Sequence, residues 1–107
     1  FICRGDATAA ALAKTLKKLG KRIPADVMLV GFDDVELAAK MTPPLTTIRQ
    51  PSEAIATAAF RALVGRMAVA SLPPCEIYLP APLVVRASTR GCLAPAVNET
   101  DTWERIR

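Results

Sequence analysis

Apolar residues recur along the chain with two different periods, and the changes between them mark out the elements. Phe1-Ile2-Cys3 reads as the tail of a strand. After a turn at Arg4-Gly5, the residues Ala9, Leu12, Leu16 and Leu19 repeat at helical spacing, which predicts a helix with one buried face. Asp6 stands where an N-cap acid accepts free amide protons, and Gly20 where a helix ends on a left-handed residue. Ile23-Pro24 prevents the helix from restarting and leads into a continuous apolar strand, Val27 to Phe32, which stops at two adjacent acids, Asp33 and Asp34. A strand apolar on both faces belongs in a sheet covered on both sides, usually a parallel one. Val35 to Lys40 then forms a short helix stopped by Met41-Thr42-Pro43-Pro44, and Leu45 to Arg49 forms a strand. From Pro51 a helix continues through Ile55, Ala59, Phe60, Leu63 and Met67. Its polar strip is only Glu53, Thr57 and Arg61, so it is expected to be covered on most of its circumference. Leu72-Pro73-Pro74 is a linker, and two short strands, Ile77 to Leu79 and Leu83 to Arg86, flank Pro80-Ala81-Pro82. Residues 91–107 lose all periodicity and read as a polar tail. Strands alternating with helices make the chain α/β.

Composition narrows this picture. The 107 residues, 51% hydrophobic, suffice for one small domain with a modest core. No apolar run is long enough to span a membrane, and no membrane partner is expected. A chain that opens on Phe-Ile-Cys with no initiating Met reads as a piece of something longer. The net charge of +4 draws on a cluster of Lys14, Lys17, Lys18, Lys21 and Arg22, but most of these share the helix face opposite Ala9 and Leu16. With no interleaved aromatics, a solvated helix face explains them better than a phosphate-binding patch. Cys3, Cys75 and Cys92 are an odd, widely spaced set that fits reduced thiols in the cytoplasm. The chain has no histidine, so it cannot supply a Ser-His or Cys-His pair or a His-containing zinc site. No cofactor and no metal are called for.

The chemistry therefore rests on carboxylates. In open α/β sheets, small ligands bind beyond the carboxyl ends of the strands, and Asp33 occupies such an end. A carboxylate there can accept two hydrogen bonds at once, from vicinal hydroxyls or ring N–H groups. The competing role for an acid after a strand is to cap the following helix. Two acids allow both: Asp33 is assigned to a ligand and Asp34 to the cap of helix 35–40. Paired carboxylates also serve glycoside hydrolysis, but there they come from separate elements and flank a bond, whereas adjacent residues on one strand point to opposite faces. The chain is not expected to be an enzyme. The Arg4-Gly5-Asp6 triplet reads as turn plus N-cap rather than as an adhesion signal.

Five motifs then fall in a specific order. They are Cys-x-Gly-Asp at 3–6, Gly-Lys-Arg-Ile-Pro-Ala-Asp-Val at 20–27, Val-Gly-Phe-Asp-Asp at 30–34, Thr-Pro-Pro-Leu-Thr-Thr-Ile-Arg-Gln-Pro at 42–51 and Leu-Val-Val-Arg-Ala-Ser-Thr at 83–89. Together they resemble the LacI/GalR family of bacterial transcriptional regulators over residues 1 to about 90. The resemblance implies the C-terminal part of a two-lobed effector domain with a type I periplasmic-binding-protein-like fold, Rossmann-like parallel sheets flanked by helices. It places residues 1–34 in the second lobe and 35–77 in the first, with 83–90 returning to the second and 91–107 as a tail. It implies that Asp33 holds effector hydroxyls or purine nitrogens and that Gln50 adds a polar contact, direct or through a neighbour, from the other lobe. Gly5 falls where sugar-responsive members carry Asn and purine-responsive members carry Gly. Arg4 is a candidate for an anionic effector, and Asp6 is a cap first and a ligand contact second. The resemblance further implies a homodimer touching through Ala10, Leu37 and Met41, for which burial within one subunit is the alternative. Operator DNA would be bound through an N-terminal helix-turn-helix absent from this chain, and the effector would be a sugar, a sugar derivative or a nucleobase. The alternative function is a periplasmic solute-binding protein of a sugar transporter.

Overall fold

The computed structural model describes residues 1–69 and 71–90. Helix α1 spans Asp6–Lys18, strand β1 Val30–Asp33, helix α2 Glu36–Lys40, strand β2 Thr46–Arg49, helix α3 Ser52–Ala68 and strand β3 Leu83–Val84, with a 3-10 turn at Ala87–Thr89. Strand β1 lies parallel to β2 in the register Val30↔Thr46 to Asp33↔Arg49, and β2 lies antiparallel to the short β3. On the other side of β1, Ile2 bridges Val30 in parallel, with the Cys3 amide donating to the Val30 carbonyl at 2.8 Å. The expected strand tail at 1–3 is thus a single bridge at the sheet edge.

Helix α1 lays Ala9 and Leu16 against the sheet, with Leu12 half-buried. Leu19 is exposed, because the helix ends at Lys18 and the following residue turns off the buried stripe. Gly20 takes the expected left-handed conformation, φ +71. The N-cap is Gly5, not Asp6, and no side chain caps the helix. The core is small: Cys3, Ala9, Leu29, Ala38 and Leu45 are buried together, with Leu12, Ala13, Ile23 and Met41 packed around them.

A buried polar lock holds the ends of the sheet. Ser88 Oγ accepts from the Thr46 amide at 2.8 Å and donates to the Leu29 carbonyl at 2.6 Å, which ties β2 to the entry of β1. Thr46 Oγ1 lies 2.7 Å from Thr89 Oγ1 and accepts from the Arg86 amide at 2.9 Å. The backbone of Leu29 is engaged by this turn, its amide donating to the Ser88 carbonyl, so the strand expected from Val27 starts at Val30. The strand expected over Leu83–Arg86 ends at Val84, and the Arg86 amide beyond it donates to Thr46 Oγ1 rather than to a ladder carbonyl. The expected strand Ile77–Leu79 does not form: Ile77 and Tyr78 are exposed, and the prolines around them supply no ladder donors.

Two expectations about organisation change. The chain was expected to leave its lobe after Asp34, yet Thr46–Arg49 lie in register beside Val30–Asp33, so it stays in one sheet as far as Arg49. It leaves at Gln50 and re-enters at Leu83, where the Arg49 amide donates to the Pro82 carbonyl at 2.9 Å. Helix α3 belongs to this excursion and buries no residue. Phe60, Leu63 and Met67 are 66%, 57% and 77% exposed, so the apolar circumference expected to be covered is open among the described residues. The polar tail at 91–107, including Cys92, lies outside the described residues; Cys3 is buried and Cys75 exposed, both as free thiols.

Candidate functional site

The carboxyl ends of β1 and β2 bring the sequence-predicted residues together. Because Asp33 lies opposite Arg49 in the parallel register, the next residue, Gln50, reaches back across the strand ends. Its Nε2 donates to Asp33 Oδ1 at 2.9 Å. The second Asp33 oxygen faces Gly5: a β-carbon on Gly5 would sit 3.3 Å from Asp33 Oδ2. Gly5 is extended, φ −164, a conformation open to any residue, so its effect is to leave space beside a carboxylate oxygen rather than to permit a turn. Arg4, next in the chain, is exposed. Asp33, Gln50 and Gly5 therefore form one cluster at the strand ends, with Arg4 adjacent in sequence and exposed. Asp33 is exposed, and Gln50 opens onto a shallow hollow of about 700 Å³ shared with Thr57, Arg61 and Leu79.

Asp6 is separated from this cluster by burial. It is 1% exposed, its Oδ1 accepts from the Thr47 hydroxyl at 2.6 Å and its Oδ2 from the Val35 amide at 2.9 Å. It neither caps α1 nor faces solvent where a ligand contact would require it. Instead it ties α1 to β2 and to the turn after β1. Gly31 makes room for it, since a β-carbon there would run into Asp6 Oδ1.

Asp34 also departs from its expected role. The N-cap of α2 is Val35, and no side chain caps that helix. The Asp34 carboxylate, 6% exposed, accepts from Arg49 Nε at 2.7 Å on Oδ2 and from Arg86 Nη2 at 2.7 Å on Oδ1. Burial pushes its pKa up, but the hydrogen bonds and charges of Arg49 and Arg86 together outweigh that and leave it below the usual carboxylate range. A carboxyl whose folded pKa is depressed contributes stability above its unfolded value, roughly 3.9, and loses it as pH falls through the folded value. Denaturant midpoints followed from pH 6 to pH 3 should therefore fall, and Asp34→Asn should flatten that acid limb. An unchanged limb would mean that the two arginines do not stabilise Asp34.

Sequence reasoning missed Arg49 and Arg86. The signal was present in part: Arg86 belongs to the Leu-Val-Val-Arg-Ala-Ser-Thr motif, but only the register shows that it meets Asp34. Asp33 and Asp34 also carry positive φ, +105 and +58. Aspartate tolerates this region better than most residues, yet such backbone costs on the order of 1–3 kcal/mol and persists where its surroundings enforce it, commonly at binding sites.

A second surface collects the other predicted residues. Ala10, Leu37 and Met41 line one groove of about 750 Å³ between α1 and α2, along with Lys14, Lys17, Ile23 and Pro43. Leu37 is 44% exposed there, while Met41 packs partly on the core.

Comparison with known proteins places this arrangement. The model of the periplasmic binding protein-like domain matches residues 1–89. An uncharacterized HTH-type transcriptional regulator in the aml 5′ region of Streptomyces limosus is 42% identical over 89 residues, covering 83% of this chain and 25% of that protein. A probable opine utilization operon repressor of Rhizobium rhizogenes is 38% identical, covering 94% of this chain and 54% of its own length. Among solved structures, a complex of the transcriptional regulator CelR with cellobiose superposes with TM-score 0.75 at 33% identity, over 81% of this chain and 27% of that one. The chain thus spans from about a quarter to about half of these relatives. With the family model matched over residues 1–89 and the relatives named as transcriptional regulators, LacI-family ones among the solved structures, this chain belongs to the periplasmic binding protein-like domain family of LacI-type regulators.

Proposed function

We infer that this chain is part of the effector-sensing domain of a bacterial transcriptional regulator, and that it contributes Asp33 and Gln50 to the grip on a small metabolite. One observation carries the reading: at the carboxyl ends of two parallel strands, Asp33 holds one oxygen on Gln50 and turns the other toward the space left by Gly5. Such a carboxylate accepts from a sugar hydroxyl or a ring N–H with charge-assisted strength. The solved relative complexed with cellobiose supports a sugar or sugar-derived effector, while the bare Gly5 leaves room for a nucleobase. Relatives named as transcriptional regulators support this reading over that of a transporter's solute-binding protein. In the same reading Arg4 stands at the rim for an anionic group, and the groove of Ala10, Leu37 and Met41 receives a second copy in a homodimer. Operator DNA is bound by a helix-turn-helix elsewhere in the cytoplasmic regulator. The effector acts by binding one arrangement of the protein more tightly than another, which shifts DNA binding by that difference and no more.

The test begins with thermal shifts of the regulator in a panel of sugars, sugar acids and nucleobases, since a ligand that binds the folded state raises its melting temperature. For the compound that stabilises it, Asp33→Ala should weaken affinity tenfold or more, about 1.5–3 kcal/mol for a lost hydrogen bond to a charged group. Operator binding without effector should be retained. Calorimetry showing equal affinity in wild type and variant would remove Asp33 from the site.

A further inference from the structure

We propose that Asp34 is the positioning residue of this site: its ion pairs with Arg49 and Arg86 hold residues 33 and 34 in left-handed backbone and so aim the Asp33 carboxylate at Gln50. The inference rests on Asp33 as the effector-binding group and adds what sets its direction.

The geometry is reciprocal. Asp34 follows Asp33, and Arg49 precedes Gln50, so the Asp34–Arg49 pair at 2.7 Å clamps the chain one residue beyond one partner and one residue before the other. Both Asp34 oxygens are engaged, because Arg86 Nη2 takes Oδ1 at 2.7 Å, and this fixes the plane of the carboxylate as well as its position. Arg86 is itself anchored, its Nη1 donating to the Leu45 carbonyl at 3.0 Å. From the other side, the Asp6 carboxylate holds the Val35 amide at 2.9 Å. Two successive non-glycine residues at φ +105 and +58 are thus gripped from β2, from the return after β3 and from α1. Without the reversal of φ, the strand would continue its alternation at Asp33. The two arginines leave Asp34 no part in touching a ligand, so it acts through Asp33.

The rival explanation is that the tolerance of aspartate for left-handed backbone is sufficient by itself. Asp34→Asn separates the two, because asparagine keeps that tolerance and the shape but loses the charge. The readout is the Gln50 side-chain amide in NMR spectra of the ¹⁵N-labelled protein without effector, with Asp33→Ala as the reference for a lost contact. In Asp34→Asn the Gln50 amide resonance should move most of the way to its Asp33→Ala position while the α1 backbone resonances stay in place. Arg49→Gln should move it partway; Arg49 is 59% exposed in its side chain, so this variant tests the clamp even where Asp34→Asn fails to fold. A Gln50 resonance at its wild-type position in either folded variant overturns the proposal. Since no effector enters the measurement, that result leaves the Asp33 affinity test untouched, and a failed affinity test leaves the clamp standing.

Discussion

Replacing Gly31 by alanine is expected to cost about 3 kcal/mol of folding stability. The added methyl would run into Asp6 Oδ1 and lie 2.7 Å from Leu45 Cδ2. Neither neighbour can give way easily. Leu45 is fully buried, and Asp6 is held by the Thr47 hydroxyl and the Val35 amide. Relief would require α1 to lift from the sheet, breaking those two bonds and exposing Ala9 and Leu16, so overpacking is compounded by lost hydrogen bonds. Urea unfolding of the two proteins with equal slopes would read the difference in stability from the midpoints. A difference below about 0.5 kcal/mol, the range of ordinary surface substitutions, would show that α1 is not seated on Gly31.

Ser88→Ala is expected to be nearly as severe, also about 3 kcal/mol. The hydroxyl serves two backbone groups from opposite sides, accepting from the Thr46 amide and donating to the Leu29 carbonyl. All three residues are at most 1% exposed, so water cannot replace the lost partner, and each orphaned group carries a desolvation penalty of roughly 1–3 kcal/mol. Ser88→Cys, closer in shape but a weaker hydrogen-bonding group, should recover only part of the loss. The same urea series decides it: alanine and wild-type proteins with one midpoint would mean that the Ser88 hydroxyl adds nothing to the lock.

These two positions show where the sequence was readable and where it was not. The apolar period from Ala9 to Leu16 and the left-handed stop at Gly20 predicted α1 closely, because helix signals are local. The end of β1 was also legible, but Gln50, expected from the other lobe, lies across the strand ends of the same sheet from Asp33, which only the register reveals. Asp6 and Asp34 were misread as caps because an acid beside a helix start has the same local sequence whether it caps, packs inward or meets arginine. Only the β1–β2 register and the return of residues 86–89, far away in sequence, distinguish these fates. Ser88 was visible only as part of a motif, since nothing local tells a buried double-bonding serine from one in solvent. Helix α3 went the other way: its narrow polar strip predicted burial, and among the described residues nothing provides it.

The excursion between Gln50 and Pro82 has a mechanical corollary. It is joined to the sheet by neighbouring outgoing and incoming strands that are cross-linked where they part by the Arg49 amide on the Pro82 carbonyl. A two-stranded strap of this kind resists sliding and in-plane swing but flexes about the line across its width. Gln50, the first residue of the outgoing arm, is itself pinned to Asp33 at the end of the neighbouring strand, so one edge of the strap is tied back to the sheet.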